Sequence, residues 1–272
     1  MNNLIISAAI GLEPTQIEFF LKSLRRYYDE DIFFLVGKKD IAVKEFLKLY
    51  KCNFLEVEIH KFDIQLKRYH FFLKILQEKK YKNVFFTDAR DVYFQSNPFN
   101  YSYEGAINFF LEDKKIKDCP YNSDWLIKTY GYKTYESMGE KIISCGGTIL
   151  GSHEGIKEFL TLMIDELPRH KFKRRLKYAL TFRRDKGGRG SDQSHGNYIA
   201  HNNLIKNTFF YSNNSGPIAT AFHLKNIIFN ENNELINILN KPYAVVHQYD
   251  KKWVQFESSV KIIKKSLGIN QR

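Results

Sequence analysis

Hydrophobic and polar positions alternate in two registers along the first hundred residues. Short, nearly continuous apolar runs occur at Leu4 to Ile10, Ile32 to Val36 and Asn83 to Thr87, each of a length suited to a buried strand, and a further strand is expected near Asn53 to Ile59. Between them, apolar residues recur at helical spacing: Ile17, Phe20, Leu21 and Leu24 after Pro14, then Ile41 to Tyr50, then Ile64 to Lys79. This β-α-β-α-β-α-β order predicts an α/β fold with a Rossmann-like, mostly parallel central sheet flanked by helices. Ligands of such sheets lie beyond the carboxyl ends of the strands, which places Ala8 to Gly11 and Thr87 to Asp91 on one rim.

The second half is less regular. Strands are expected at Ala106 to Leu111 and Thr148 to Leu150, and helices at Glu154 to Leu167 and Asp192 to Asn202, giving the sheet a mixed C-terminal part. Residues 1–272 read as one domain.

Composition changes this picture in three ways. With 43% hydrophobic and 26% charged residues the chain is globular and not disordered. Its net charge of +12 favours anionic partners: nucleoside diphosphates, nucleic acids or acidic membranes. Cys52, Cys119 and Cys145 have no metal-ligand spacing and imply no disulfide framework, as in a reducing compartment. The amino-terminal apolar run lacks a basic leader, and no stretch approaches the roughly 20 apolar residues of a membrane span. The expected location is therefore cytoplasmic, peripheral to the inner face of the membrane. A basic stretch, Lys171 to Arg189, interleaves cations with Leu176, Tyr178, Leu180 and Phe182; it reads either as a solvated surface or as a contact for an anionic membrane.

The chemistry concentrates where the fourth apolar run stops, in Thr87-Asp88-Ala89-Arg90-Asp91 followed by Val92-Tyr93-Phe94-Gln95. Carboxylates at a strand end can hold a hard divalent cation against a diphosphate, and arginine can bind phosphate directly. Position 90 is arginine, so the second carboxylate is Asp91, and Asp88 and Asp91 meet one cation only if the chain turns sharply between them.

These segments resemble the Asp-x-Asp region of GT-A glycosyltransferases, in a Thr-Asp-x-Arg-Asp form similar to family 8-like enzymes. Three further blocks carry the resemblance: Ser144-Cys145-Gly146-Gly147, Gly190-Ser191-Asp192-Gln193, and Val246-His247-Gln248-Tyr249-Asp250-Lys251-Lys252. The resemblance implies a transferase that moves a sugar from a nucleoside-diphosphate sugar to a glycan or lipid-linked acceptor in cell-surface polysaccharide or lipopolysaccharide synthesis. Residues 1–100 would form the nucleotide-binding half and 101–272 the acceptor and donor-sugar half.

It further implies a Mn²⁺ or Mg²⁺ ion held by Asp88, Asp91 and His247. Ala8, Ala9 and Ile10 would border the base and ribose. Arg68, Thr87, Arg90 and Lys252 would lie along the diphosphate, with Gly146 and Gly147 in a donor-sugar loop. Asp192, read as a helix cap, and Gln193 would serve at the reacting centre: Asp192 as general base if the reaction inverts, or Asp192 or Gln193 positioning the sugar if it retains, the spacing deciding neither. Two other readings remain open from the residues themselves. One is a non-enzymatic basic module for nucleic acid or acidic membrane, although no specific nucleic acid is expected. The other is a sugar nucleotidyltransferase, for which Gly11-Leu12-Glu13-Pro14 makes a poor phosphate loop.

Overall fold

The computed structural model describes residues 1–59, 63–181 and 190–270, and of 168–181 and 191 the backbone alone. The amino-terminal half follows the alternation of its sequence: β1 (Leu4–Ala8), α1 (Pro14–Leu24), β2 (Asp31–Gly37), α2 (Ile41–Leu49), β3 (Asn53–Val57), α3 (Ile64–Glu78), β4 (Asn83–Thr87) and a short β5 (Val92–Phe94). There follow β6 (Ile107–Lys115), α4 (Pro120–Tyr130), α5 (Tyr132–Met138), β7 (Ile142–Ser152), α6 (His153–Thr181) and α7 (Ser191–His201). The chain finishes with β8 (Thr208–Tyr211), β9 (Ile218–Thr220), β10 (Ile228–Phe229), β11 (Leu235–Ile236), β12 (Val245–His247) and α8 (Trp253–Ser266).

The central sheet has seven strands in the order β3-β2-β1-β4-β7-β6-β8. Every strand runs the same way except β7, which is antiparallel to both β4 and β6. The fold is thus α/β, with a mostly parallel, mixed sheet flanked by helices. Alternation along β1 shows why its strands are apolar throughout. Leu4 and Ile6 point into a core with Phe72 and Ile75 of α3 and Phe159 and Leu160 of α6. Ile5 points the other way, among Phe20, Leu21 and Leu24 of α1 and Val43 and Leu47 of α2. Both faces are buried, so no position in such a strand can be polar without a partner.

Two expectations are corrected. The strand expected at Thr148 to Leu150 begins six residues earlier, at Ile142, because glycine weakens a strand without forbidding one and β4 and β6 pair with it on either side. The helix expected to stop at Leu167 continues through Pro168 to Thr181, a stretch rich in lysine, arginine and leucine, all good helix formers. Of the basic stretch Lys171 to Arg189, residues 182–189 and the side chains up to 181 lie outside the described residues. Among the described residues no helix is long and apolar enough to cross a membrane.

A second, three-stranded sheet, β5-β12-β9, stands beside the main one. Tyr93 and Val246 from its strands pack with Phe19 of α1 and with Phe256 and Val260 of α8. β4 belongs to the large sheet and β5 to the small one, so residues 88–91 are the bridge between them.

Candidate functional site

That bridge is clamped at both ends. Asp88 N–H donates to the Gly147 carbonyl on β7 (2.9 Å), and the Asp91 carbonyl accepts from Gln248 N–H just after β12 (2.7 Å). Gln248 takes a left-handed conformation (φ 57°), which turns the chain sharply after His247. Residues 89–91 themselves form a bend and turn, the sharp change of direction that the Asp88 to Asp91 spacing required. Asp88, Asp91 and His247 bring one ligand atom each within 4.8 Å of one another. His247 Nε2 lies 3.7 Å from Asp88 Oδ2 and 3.6 Å from Asp91 Oδ1, within ion-pair range but too far for hydrogen bonds.

The imidazole is held from behind, its Nδ1 3.2 Å from Cys145 Sγ. Its Nε2 is buried with no hydrogen-bond partner. Buried side-chain oxygens of Thr220, which pairs with His247 across β9 and β12, and of Gln248, which follows His247, are also unpartnered. Unpaired buried polar atoms are uncommon, and a group of them marks a place built for a ligand. Two carboxylate oxygens and an imidazole nitrogen form a donor set suited to a Mn²⁺-like ion.

Gly147 keeps this space open. A Cβ at that position would lie 2.5 Å from His247 Cε1, 2.6 Å from Asp88 Oδ2 and 2.8 Å from His247 Nε2. Gly146 serves the opposite face of the strand: its Cβ would meet Gln193 Oε1 at 2.7 Å, the atom that accepts the Gly146 N–H bond at 2.9 Å. The expected donor-sugar loop is therefore an extended strand, stripped of side chains because functional groups occupy both of its faces.

Arg68, on α3, is buried over the Phe86 ring (4.7 Å). Its Nη1 donates to Asp88 Oδ1 and its Nη2 to Asp192 Oδ2, both at 2.9 Å. Both terminal nitrogens thus meet carboxylates, and the role it plays here is to lock two acids together. Asp192 accepts further bonds from Tyr69 OH (3.3 Å) on Oδ2 and from Gln193 N–H (3.0 Å) on Oδ1. It is not the helix cap: Gly190, at φ 83°, precedes the helix, and Asp192 is its second residue. These contacts fix the Asp192 carboxylate against Arg68, Tyr69 and the start of α7.

The remaining sequence-derived residues are arranged as follows. Thr87 is buried in the sheet, its carbonyl accepting from Ser7 Oγ (2.6 Å). Ala9 and Ile10 fill the cores on opposite faces of the sheet, leaving Ala8 as the half-buried residue of that group. Arg90 is half-exposed and paired with Asp250 (3.2 Å), outside the acidic cluster. Lys252 is half-buried at the end of the 3-10 turn that follows His247. Sequence reasoning missed Tyr69, Glu112 and His223. Tyr69 is visible only as the neighbour of Arg68. Glu112 and His223, in contact across 111 residues, leave no local trace.

The electrostatics follow from these contacts. Burial opposes ionisation of Asp88, but His247 and the Arg68 guanidinium outweigh it and hold the carboxyl well below the usual carboxylate range. Burial raises Asp91 and Asp192, with His247 and Arg68 respectively pulling against it. Burial disfavours charge on His247, yet Cys145, Asp91 and Asp88 together raise it well above its ordinary 6.5.

A raised folded-state value means that the protonated imidazole stabilises the fold fully below pH 6.5, and that this contribution is lost as pH rises through the raised value. The melting temperature of chelator-treated protein is therefore expected to fall on the alkaline side of neutrality, with a flatter profile in His247→Gln; identical profiles would contradict the assignment. Added Mn²⁺ must displace that proton, so its affinity rises over the same interval. Compared with known proteins, the sequence matches no family model and no curated protein.

Proposed function

We propose that the protein is a GT-A type glycosyltransferase, moving a sugar from a nucleoside-diphosphate sugar to a glycan or lipid-linked acceptor. The observation that carries this reading is the convergence of Asp88, Asp91 and the unpartnered His247 Nε2 around the space left by Gly147. Support also comes from its place, at the carboxyl end of β4 in a mostly parallel sheet, where nucleotide ligands of α/β proteins lie.

Asp88, Asp91 and His247 would hold a divalent cation. When bound, it supplies positive charge to the departing diphosphate. The chain's own residues do the rest. Arg68 fixes the rotamer of Asp88 through Oδ1, leaving Oδ2 turned towards His247. Asp192 holds Arg68 from the other side and orients the start of α7, so Gln193 spans Gly146 N–H and the Ser144 carbonyl. Arg90, Lys251 and Lys252 place positive charge around the rim, where a diphosphate gains from it. The excess of cations over the whole chain acts in the same direction.

The test is thermal stability against a panel of nucleoside diphosphates with Mn²⁺ or Mg²⁺. A ligand at about 100 times its Kd adds about 2.7 kcal/mol. One diphosphate is expected to stabilise selectively and only with the cation, and Asp88→Asn to abolish the response. A variant that responds like the wild type would remove the site from this position.

A further inference from the structure

The side chain that backs the imidazole has chemistry the acidic cluster needs. Cys145 and Gly147 lie two residues apart on β7 and so share one face of the strand. His247 crosses that face with an edge of its ring laid along the strand. Its Nδ1 stands 3.2 Å from Cys145 Sγ, while its Cε1 and Nε2 lie over Gly147, 2.5 and 2.8 Å from where a Cβ would be. Both side chains are buried, and the thiol is free. β7 belongs to the seven-stranded sheet and β12 to the three-stranded one, so this contact also joins the two sheets beside the acidic turn.

We infer that Cys145 is the positioning residue of the cation centre: its sulfur accepts Nδ1–H of His247 and so keeps the Nε2 lone pair turned to the space between Asp88 and Asp91. This inference rests on the cation-binding part of the glycosyl-transfer reading and deepens it. A neutral imidazole carries one proton, and the nitrogen that keeps it cannot hold an ion. The partner of the far nitrogen therefore decides whether the near one is a ligand. Asp88 and Asp91, 3.7 and 3.6 Å from Nε2, by themselves draw the proton to the nitrogen that must be bare. Among the described residues the hydrogen bond that opposes them is the one at Nδ1, and Cys145 alone supplies it.

The same geometry makes the sulfur a support and not a ligand. The two nitrogens of an imidazole point away from each other, so a sulfur at Nδ1 lies across the ring from an ion at Nε2. A thiolate among the ligands would favour soft ions; a thiol one ring away leaves two oxygens and a nitrogen, the set that suits a Mn²⁺-like ion.

The experiment measures Mn²⁺ affinity by calorimetry, and the absorption spectrum with Co²⁺, for wild type, Cys145→Ser, Cys145→Val and Cys145→Ala. Serine keeps an acceptor for Nδ1–H, valine keeps volume without an acceptor, and alanine keeps neither. Losing an outer partner of a ligating histidine costs about 10- to 100-fold in affinity. Mn²⁺ binding is expected to weaken by that factor in the valine and alanine variants and to be largely retained with serine. Co²⁺ in the wild type is expected to give no sulfur-to-cobalt charge-transfer band. Nitrogen-15 NMR of the Zn²⁺-loaded protein is expected to place the His247 proton on Nδ1 in wild type and in Cys145→Ser. Melting temperatures with chelator separate loss of the ligand's orientation from loss of the fold, and the serine–valine comparison carries the test if the alanine cavity unfolds the chain.

Wild-type affinity in Cys145→Val would overturn the role, since no acceptor is then needed. Equal losses with serine and valine would overturn it as well, since packing alone is then what the sulfur supplies. A charge-transfer band that vanishes in Cys145→Ser would make the thiol a ligand and sink the positioning role. If the wild type binds neither Mn²⁺ nor Co²⁺, the cation centre fails and Cys145 falls with it; normal wild-type binding with unaffected variants removes Cys145 alone.

Discussion

Gly147→Ala is expected to weaken Mn²⁺ binding severely while leaving the sheet folded. The added methyl would lie 2.5 Å from one imidazole carbon and 2.6 Å from a carboxylate oxygen, closer than non-bonded atoms tolerate. Neither neighbour can yield without loss. His247 is backed by Cys145, and Asp88 is tied to Arg68. Displacing groups that only support a metal ligand already costs about 10- to 100-fold in affinity, and here two of the residues that would hold the ion themselves move. We expect Mn²⁺ affinity measured by calorimetry to fall by at least about 100-fold, and stability by about 1–3 kcal/mol from overpacking. Gly146→Ala is the informative companion. It perturbs the Gln193 carboxamide on the other face, and cation affinity changes far less. Equal losses in the two variants would show that the effect is one of strand geometry and not of ligand displacement.

Arg68→Met is expected to give the largest loss of stability of any single change in the site. It leaves Asp88 and Asp192 without the cation that joins them. Breaking a buried ion pair on one side costs about 3–5 kcal/mol, and the lower end applies here because the Asp88 side chain is 38% exposed and partly solvated.

The pH dependence has a definite sign. In the wild type the lowered Asp88 contributes stability above its ordinary 3.8 that is lost as pH falls through the folded value. Asp192, raised by burial, instead costs stability while ionised. Without Arg68 the depression of Asp88 weakens and the elevation of Asp192 grows, so the variant recovers towards wild type as pH falls from neutral towards about 5. Urea midpoints at the two ends of that interval measure it. A deficit independent of pH would mean that packing over Phe86, and not charge, is what Arg68 supplies. Arg68→Lys keeps the charge but cannot span both carboxylates, and falls between.

How far the sequence discloses this arrangement differs from element to element. β1, β2 and β4 are legible because both faces are buried, which forces unbroken apolar runs such as Asn83 to Thr87. The acidic turn is legible for the same reason: Asp88 is the first position at which such a run could end. β7 is only partly legible, since Gly146 and Gly147 carry the local signature of a loop. What keeps them extended is pairing with β4 and β6, and what requires them to be glycine is Gln193, Asp88 and His247, all distant in the chain. Asp192 misleads in a different way. An acid at a helix start suggests a cap, and only the placement of Arg68 and Tyr69 reveals that its Oδ2 is held inward. Glu112 and His223 are illegible, because neither sits in a pattern and their meeting depends on how β6 and β9 are brought together.

The bridge from β4 to β5 also determines when the centre can exist. The seven-stranded sheet uses nothing beyond Tyr211, whereas His247 and the strand that positions it, Val245–His247, come more than thirty residues later. During synthesis the large sheet can therefore be complete while the three-stranded one lacks its middle strand. A nascent chain that stops before Val245 carries both aspartates and no imidazole, and so holds two of the three candidate ligands without the third.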